Sequence, residues 1–210
     1  MEAYQTEEQQ VEAIKKYWKD NGNSIIAGLV IGLGGFVGWN LYQESQVEAQ
    51  YVAAAEYQQT IENYANETEG FRENTEQFIA ANQGTAYSSL AAMALAKDAV
   101  SHQDWVGAEK HLTTAITNAE SADLKAIATL RLARVQVQQQ AYEKALATLA
   151  NPLPESYLAD VEEIKGDTYL LQGNKELART AYQAAANAGG LETNPTLQTK
   201  IDDLAVVVAG

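Results

Sequence analysis

His102-x-Asp104, a second histidine at His111, and the acidic doublets Glu162-Glu163 and Asp202-Asp203 are the residues of this chain whose types could do chemistry. An imidazole with a carboxylate two residues on could ligate a metal or move a proton, and paired carboxylates could divide acid–base work. The spacing argues against both. Nine residues and an expected turn separate His102 from His111, so each reads as a surface histidine. Adjacent acids on a helix point about 100° apart and do not converge on one atom. The absence of cysteine removes thiolate catalysis, Cys-ligated zinc and disulfides. No strand is expected, so no Gly-rich phosphate loop follows one. Asn66-Glu67-Thr68 fits a glycosylation sequon, a short pattern that arises often by chance. No catalytic, cofactor or metal site emerges, and the expectation is a protein that binds and is not an enzyme.

The elements that carry these residues follow from composition and periodicity. The 210 residues include 28 Asp+Glu against 14 Lys+Arg, for a net charge of −14, which repels phosphate and disfavours nucleic acid as a partner. With 46% hydrophobic residues the chain can bury a core. Only 3 prolines, with abundant Ala, Gln, Leu and Glu, point to an all-α fold.

One segment breaks the even polarity. Asn21 to Gln43 is a run of 23 residues without a charge, apolar almost throughout from Ile25 to Tyr42. Those eighteen residues rise roughly 27 Å as a helix, close to the ~30 Å of bilayer hydrocarbon. Tyr17 and Trp18 precede the run and Trp39 and Tyr42 close it, as interfacial aromatics do. Lys15, Lys16 and Lys19 lie just before it, and the next basic residue is Arg72. The positive-inside rule therefore puts the N-terminus in the cytoplasm. A cleaved signal peptide is the competing account. The acid-containing stretch before the run is long for an n-region, and Val47-Glu48-Ala49 lies beyond the apolar part. The expected organisation is a cytoplasmic segment 1–23, a transmembrane helix 24–43, and an external domain 44–210. Within the span, Ser24, Gly28, Gly32 and Gly35 fall inside an arc of about 80°, a smooth face suited to a membrane partner helix.

Past the span, Asn66 to Gly70 should interrupt a helix, and a short helix near Arg72–Ala81 should stop at Asn82-Gln83-Gly84. From Tyr87 the chain repeats. A tetratricopeptide unit is a helical hairpin of about 34 residues, with small residues where the two helices approach closely. Leu95-Ala96 with Ala108, Leu112 and Ala115 form one such set, and Leu132-Ala133 with Ala145 and Leu149 a second. Gly166 and Tyr169, the turn Gly173-Asn174, and Ala178, Tyr182 and Ala185 form the third. Asn151-Pro152 should end the second unit early, and Asn194-Pro195 should start a final helix, Thr196–Leu204, that closes the stack. Leu124–Gln138 is apolar on both faces, as an inner helix of an α-solenoid requires.

The stretch LKAIATLRLARVQVQ (Leu124–Gln138), the opening QVEAIKKYWKDNG, the Gly-rich span ending Gly38-Trp39, and Lys200-Ile201-Asp202-Asp203-Leu204 together resemble one family. It is the YfgM-like family of tetratricopeptide proteins, ancillary subunits of the bacterial Sec translocon. The resemblance runs along essentially the whole chain. It implies a single-pass inner-membrane protein of a Gram-negative cell with a periplasmic TPR-like domain. It also implies association with the SecYEG channel, with a membrane-anchored periplasmic chaperone of the prolyl-isomerase type, and with translocating polypeptides. A link to a cytoplasmic stress-response regulator would involve residues 1–20. The family brings no catalytic residue and no cofactor. An envelope scaffold that recruits cell-wall machinery is the alternative reading.

Solenoids bind through the concave surface formed by the first helix of each pair. On this repeat phase the groove positions are Leu90, Met93, Lys97 and Val100, then Ile127, Leu130, Arg134 and Val137, then Asp160, Glu163, Asp167 and Leu170. Met93, Lys97, Ile127, Leu130, Arg134, Glu163 and Asp167 are the candidate partner-binding residues. For Ile127 and Leu130 the competing role is packing against a neighbouring helix, and for Lys97 and Arg134 it is solvation or a local ion pair.

Overall fold

The computed structural model describes residues 7–66 and 68–204, and every regular element among them is helical. The chain divides into two units, Met1–Val52 and Ala53–Gly210. Helix α1 (Glu7–Ala65) supplies the first unit and the opening residues of the second, so the expected boundary after residue 43 falls inside a continuous helix.

In the N-terminal unit, α1 contains a segment long and apolar enough to cross a membrane, with none of it buried in the protein. Leu29, Val30, Ile31, Leu33 and Phe36 are all exposed, which in water would leave a large apolar surface without a partner. Hydrocarbon removes that cost.

The second unit is a run of antiparallel helix pairs. Helix α2 (Phe71–Ala81) follows the break at Gly70, whose φ of 78° is in the left-handed region. The pairs are α3 (Ala86–Ser101) with α4 (Trp105–Asn118), α5 (Ala122–Gln138) with α6 (Tyr142–Leu149), and α7 (Leu158–Leu171) with α8 (Lys175–Asn187). The short α9 (Gly190–Thr193) leads into α10 (Thr196–Asp203), which packs on α8. Neither α9 nor the 3-10 turn Glu155–Tyr157 was legible in the periodicity, because each is too short to show one.

The small residues sit where the helices cross. Ala108, Ala115, Ala145, Ala178, Tyr182 and Ala185 are all fully buried, and Leu112 and Leu149 are nearly so. In the third pair a Cβ on Gly166 would collide with the Tyr182 ring, so only glycine lets α7 and α8 close on that tyrosine. Helix α5 is shared between two cores. Ala128, Leu132 and Val135 join the core of the first pair, and Leu130, Ala133 and Val137 join the core with α6 and α7. That sharing is the physical reason its sequence is apolar on both faces.

The three hairpin turns have one geometry. In each, the residue after the first helix's last turn is left-handed: Gln103 (φ 60°), Gln140 (φ 59°) and Gly173 (φ 81°). The next amide reaches back five residues, from Asp104 to the Ala99 carbonyl, Ala141 to Gln136, and Asn174 to Tyr169. Asp104 and Asn174 then cap the second helix through their side chains, whereas Ala141 has no side-chain oxygen to do so.

The middle hairpin thus departs twice from the pattern of the third. Gln140→Gly should stabilise the protein by about 1 kcal/mol by relieving left-handed strain. Ala141→Asp should add about 1 kcal/mol by capping α6. Thermal or urea unfolding followed by circular dichroism measures both. Gly166→Ala should destabilise by about 1–3 kcal/mol through overpacking against Tyr182.

Candidate functional site

The first helices α3, α5 and α7, with the start of α4, line an open groove of about 1080 Å³. Its apolar surface includes Val100, Trp105, Leu170 and Leu171, and its charged groups are Lys97, Arg131, Arg134 and Asp167. Met93, Lys97, Arg134 and Asp167 therefore line one concavity, together with Val100, Val137 and Leu170. Ile127 and Leu130 do not line it. Leu130 is only 4% exposed within the second core and Ile127 packs against the first, because α5 turns that stripe toward its neighbours. Leu90 likewise packs against the first core.

Glu163 sits beside the groove, in a recess of about 360 Å³ that also holds Arg134, Asp160, Asp167, Asn194 and Lys200. The Lys200 ammonium, on α10, donates to Glu163 at 2.8 Å and to Asp167 at 2.6 Å. Asn194 donates to both Glu163 oxygens at 2.8 and 2.9 Å, and the buried Tyr182 hydroxyl donates to Asp167 at 2.7 Å. Glu163 and Asp167 are one turn apart on α7, where two carboxylates would repel without a cation between them. Burial alone would raise the Glu163 carboxyl, but hydrogen bonds from Lys200 and Asn194 outweigh it and hold it below the ordinary carboxylate value. Burial would likewise lower Lys200, and its bonds to Asp167 and Glu163 instead raise it. Tyr182 is pushed up by burial and then by its bond to Asp167. This network joins α7, α8 and α10, so Glu163 and Asp167 serve first to hold the closing helix.

The cations of the groove are differently placed. Arg131 donates to the Met93 sulfur at 3.4 Å, which brings α5 against α3. Lys97 lies 6.0 Å from the centre of the Tyr64 ring, a cation–π distance. Arg134 meets Asp160 at 3.4 Å with both side chains about half exposed, a geometry of little strength. Arg131 was missed in the sequence reading, although it stands one turn before Arg134 on the same helix face.

The histidines are apart in role. His102 is exposed at the end of α3, with its Nδ1 2.9 Å from the Asp98 carbonyl, and the buried Asp98 carboxylate accepts from Arg72 at 2.6 Å. His111 is half-buried on α4, and burial, then the neighbouring Lys110, holds it below its ordinary value and so neutral near pH 7. Among the described residues no cluster of three His, Asp or Glu could hold a metal ion.

The family model of a tetratricopeptide repeat-like domain matches residues 15–206. The chain is similar to proteins named ancillary SecYEG translocon subunit. That of Aggregatibacter actinomycetemcomitans is 36% identical over 94% of this chain and 97% of its own length. That of Haemophilus influenzae is 33% identical, over 94% and 97%. That of Escherichia coli K12 is 32% identical, over 98% and 100%. No solved structure matches the chain.

The Lys200 network predicts a pH signature. Glu163's folded value lies below its unfolded one of 4.5, so its contribution is complete above that pH and is lost as pH falls through the folded value. Lys200's folded value lies above 10.5, so its contribution is complete below that pH and is lost only as pH rises further. Lys200→Met should therefore cost about 1–2 kcal/mol at neutral pH, less than a fully buried pair because the site is partly wet. The deficit should shrink at an acid pH low enough for the Glu163 carboxylate to take up a proton in the folded protein. Urea unfolding at the two pH values measures it, and equal deficits would assign Lys200 a packing role only.

Proposed function

The chain belongs to the tetratricopeptide repeat-like family of ancillary SecYEG translocon subunits, and from that premise we propose that it works as such a subunit by protein–protein binding, without catalysis. In this reading residues 1–23 are cytoplasmic, 24–43 span the inner membrane, and 44–210 form a periplasmic repeat domain. The lysines before the span support that orientation. The groove holds a membrane-anchored chaperone of the prolyl-isomerase type or a translocating polypeptide. The observation that carries the reading is the open groove on the first helices, where apolar walls meet Lys97, Arg131 and Arg134 in one concavity.

The glycines of the span support a helix partner. A Cβ at Gly28, Gly32 or Gly35 would meet nothing within 4 Å inside this protein. Glycine costs about 1 kcal/mol against alanine in a helix interior. Nothing among the described residues offsets that, whereas a second transmembrane helix approaching along Ser24, Gly28, Gly32 and Gly35 would. Function then follows from proximity. A chaperone held at the channel exit meets emerging chains at high effective concentration with no new contact required.

Photoreactive residues at Val37 and Met93, activated in membranes, test this. A channel subunit cross-linked from Val37 and a chaperone or nascent chain from Met93 are the expected adducts. Cell-wall proteins at both positions, without the channel, would sink the reading in favour of an envelope scaffold. Gly28→Leu with Gly32→Leu should lower SecYEG co-purification several-fold, and unchanged recovery would remove the glycine face from it.

A further inference from the structure

The groove's cations are less engaged with carboxylates of this chain than most other cations of the repeat domain. Arg72, Lys110, Lys144, Lys165, Arg179 and Lys200 each pair with a carboxylate of this chain. Among the described residues Lys97 and Arg131 form no ion pair, and Arg134 has a weak contact with Asp160 and a longer-range attraction to Glu163, which Lys200 and Asn194 already bind. Lys125 and Lys175, outside the groove, also meet no carboxylate among the described residues, so what sets the groove apart is that three cations share one concavity. The single acid of the lining, Asp167, already accepts from both Lys200 and Tyr182, so it neutralises none of the three.

The three cations also stand together. Arg131 and Arg134 are one turn apart on α5, with Cβ atoms about 5–6 Å apart. Arg131 touches Met93, and Met93 is one turn before Lys97 on α3. A cleft whose charged lining is mostly of one sign, between apolar walls, focuses its field on whatever enters, and a guanidinium matches a carboxylate in two-point geometry. Val100 (37% exposed), Leu170 (38%) and Leu171 (58%) supply apolar surface beside them.

Resting on the reading of the groove as a partner site, we infer that it selects an acidic segment of a partner protein, whose carboxylates pair with Lys97, Arg131 and Arg134 while its apolar side chains contact Val100, Leu170 and Leu171. The protein's net charge of −14 opposes a nucleic acid more than a short acidic segment, since a phosphate on every nucleotide carries negative charge well beyond the three cations. An unselected translocating chain offers apolar side chains but no fixed set of carboxylates, so the cations make the groove selective for one kind of sequence.

The test uses the full chain in detergent micelles and a short fluorescein-labelled peptide of Leu, Phe and Glu, followed by fluorescence anisotropy. The same peptide with Gln in place of Glu is the control. The acidic peptide should bind at least about tenfold more tightly than the amide one, equivalent to about 1.4 kcal/mol, and added salt should narrow the gap. Lys97→Glu with Arg131→Glu should abolish the preference. Lys97→Gln with Arg131→Gln should reduce it, in protein of unchanged helicity. Equal binding of the two peptides, or a preference that survives both double variants, overturns the inference. Capture of anionic vesicles or of single-stranded DNA through these residues in place of the peptide overturns it as well. SecYEG co-purification of the same double variants, measured in parallel, separates the two failures. Normal recovery with no peptide preference leaves the proposed function standing and removes only the acidic ligand.

Discussion

Close approach of paired helices is the constraint on which the repeat domain depends. Two helix axes can come near enough to exclude water only where one side contributes almost no side chain. Ala108, Ala145 and Ala178 do this in the second helix of successive pairs, each with no exposed surface. Around these points the larger residues Leu112, Leu149 and Tyr182 fill the space left over. The third pair takes the device furthest. Its first helix gives up even the methyl group at Gly166, and Tyr182 occupies the room with its hydroxyl reaching Asp167.

That contact links packing to charge. Tyr182 is buried for its ring, yet its hydroxyl needs an acceptor, and Asp167 provides one. Asp167 then stands one turn from Glu163, and the pair needs a cation, which α10 delivers as Lys200. The closing helix is thus held by apolar burial of Leu197 and Leu204 on one side and by this polar chain on the other. The same network occupies Asp167, the acid of the groove lining, and leaves the basic side chains of α3 and α5 to set the groove's electrostatic character.

Much of this was legible in the sequence because it is periodic. The break at Asn66–Gly70, the stop at Asn82–Gly84, the turn at Gly173-Asn174 and the closing helix from Thr196 all fall where local backbone chemistry demanded them. The turns at Gln103 and Gln140 were harder, since neither is the glycine that a left-handed residue favours. They are held by the same five-residue back-bond as Gly173, a long reach that single-residue preference does not encode.

The sequence by itself determined the helical class, the apolar membrane-length segment and the spacing of small residues, because each is a property of neighbours within a few turns of one helix. It placed Met93, Lys97, Arg134 and Asp167 on first helices, but it could not say which of them a neighbouring helix would claim. Tertiary structure decided that. Leu130 turned into a core, Glu163 and Asp167 were taken by Lys200, which is 37 and 33 residues away, and Arg131 came to face the groove. The physical reason is that periodicity sets the face of a helix on which a residue lies, whereas its partner is chosen by the packing of distant segments.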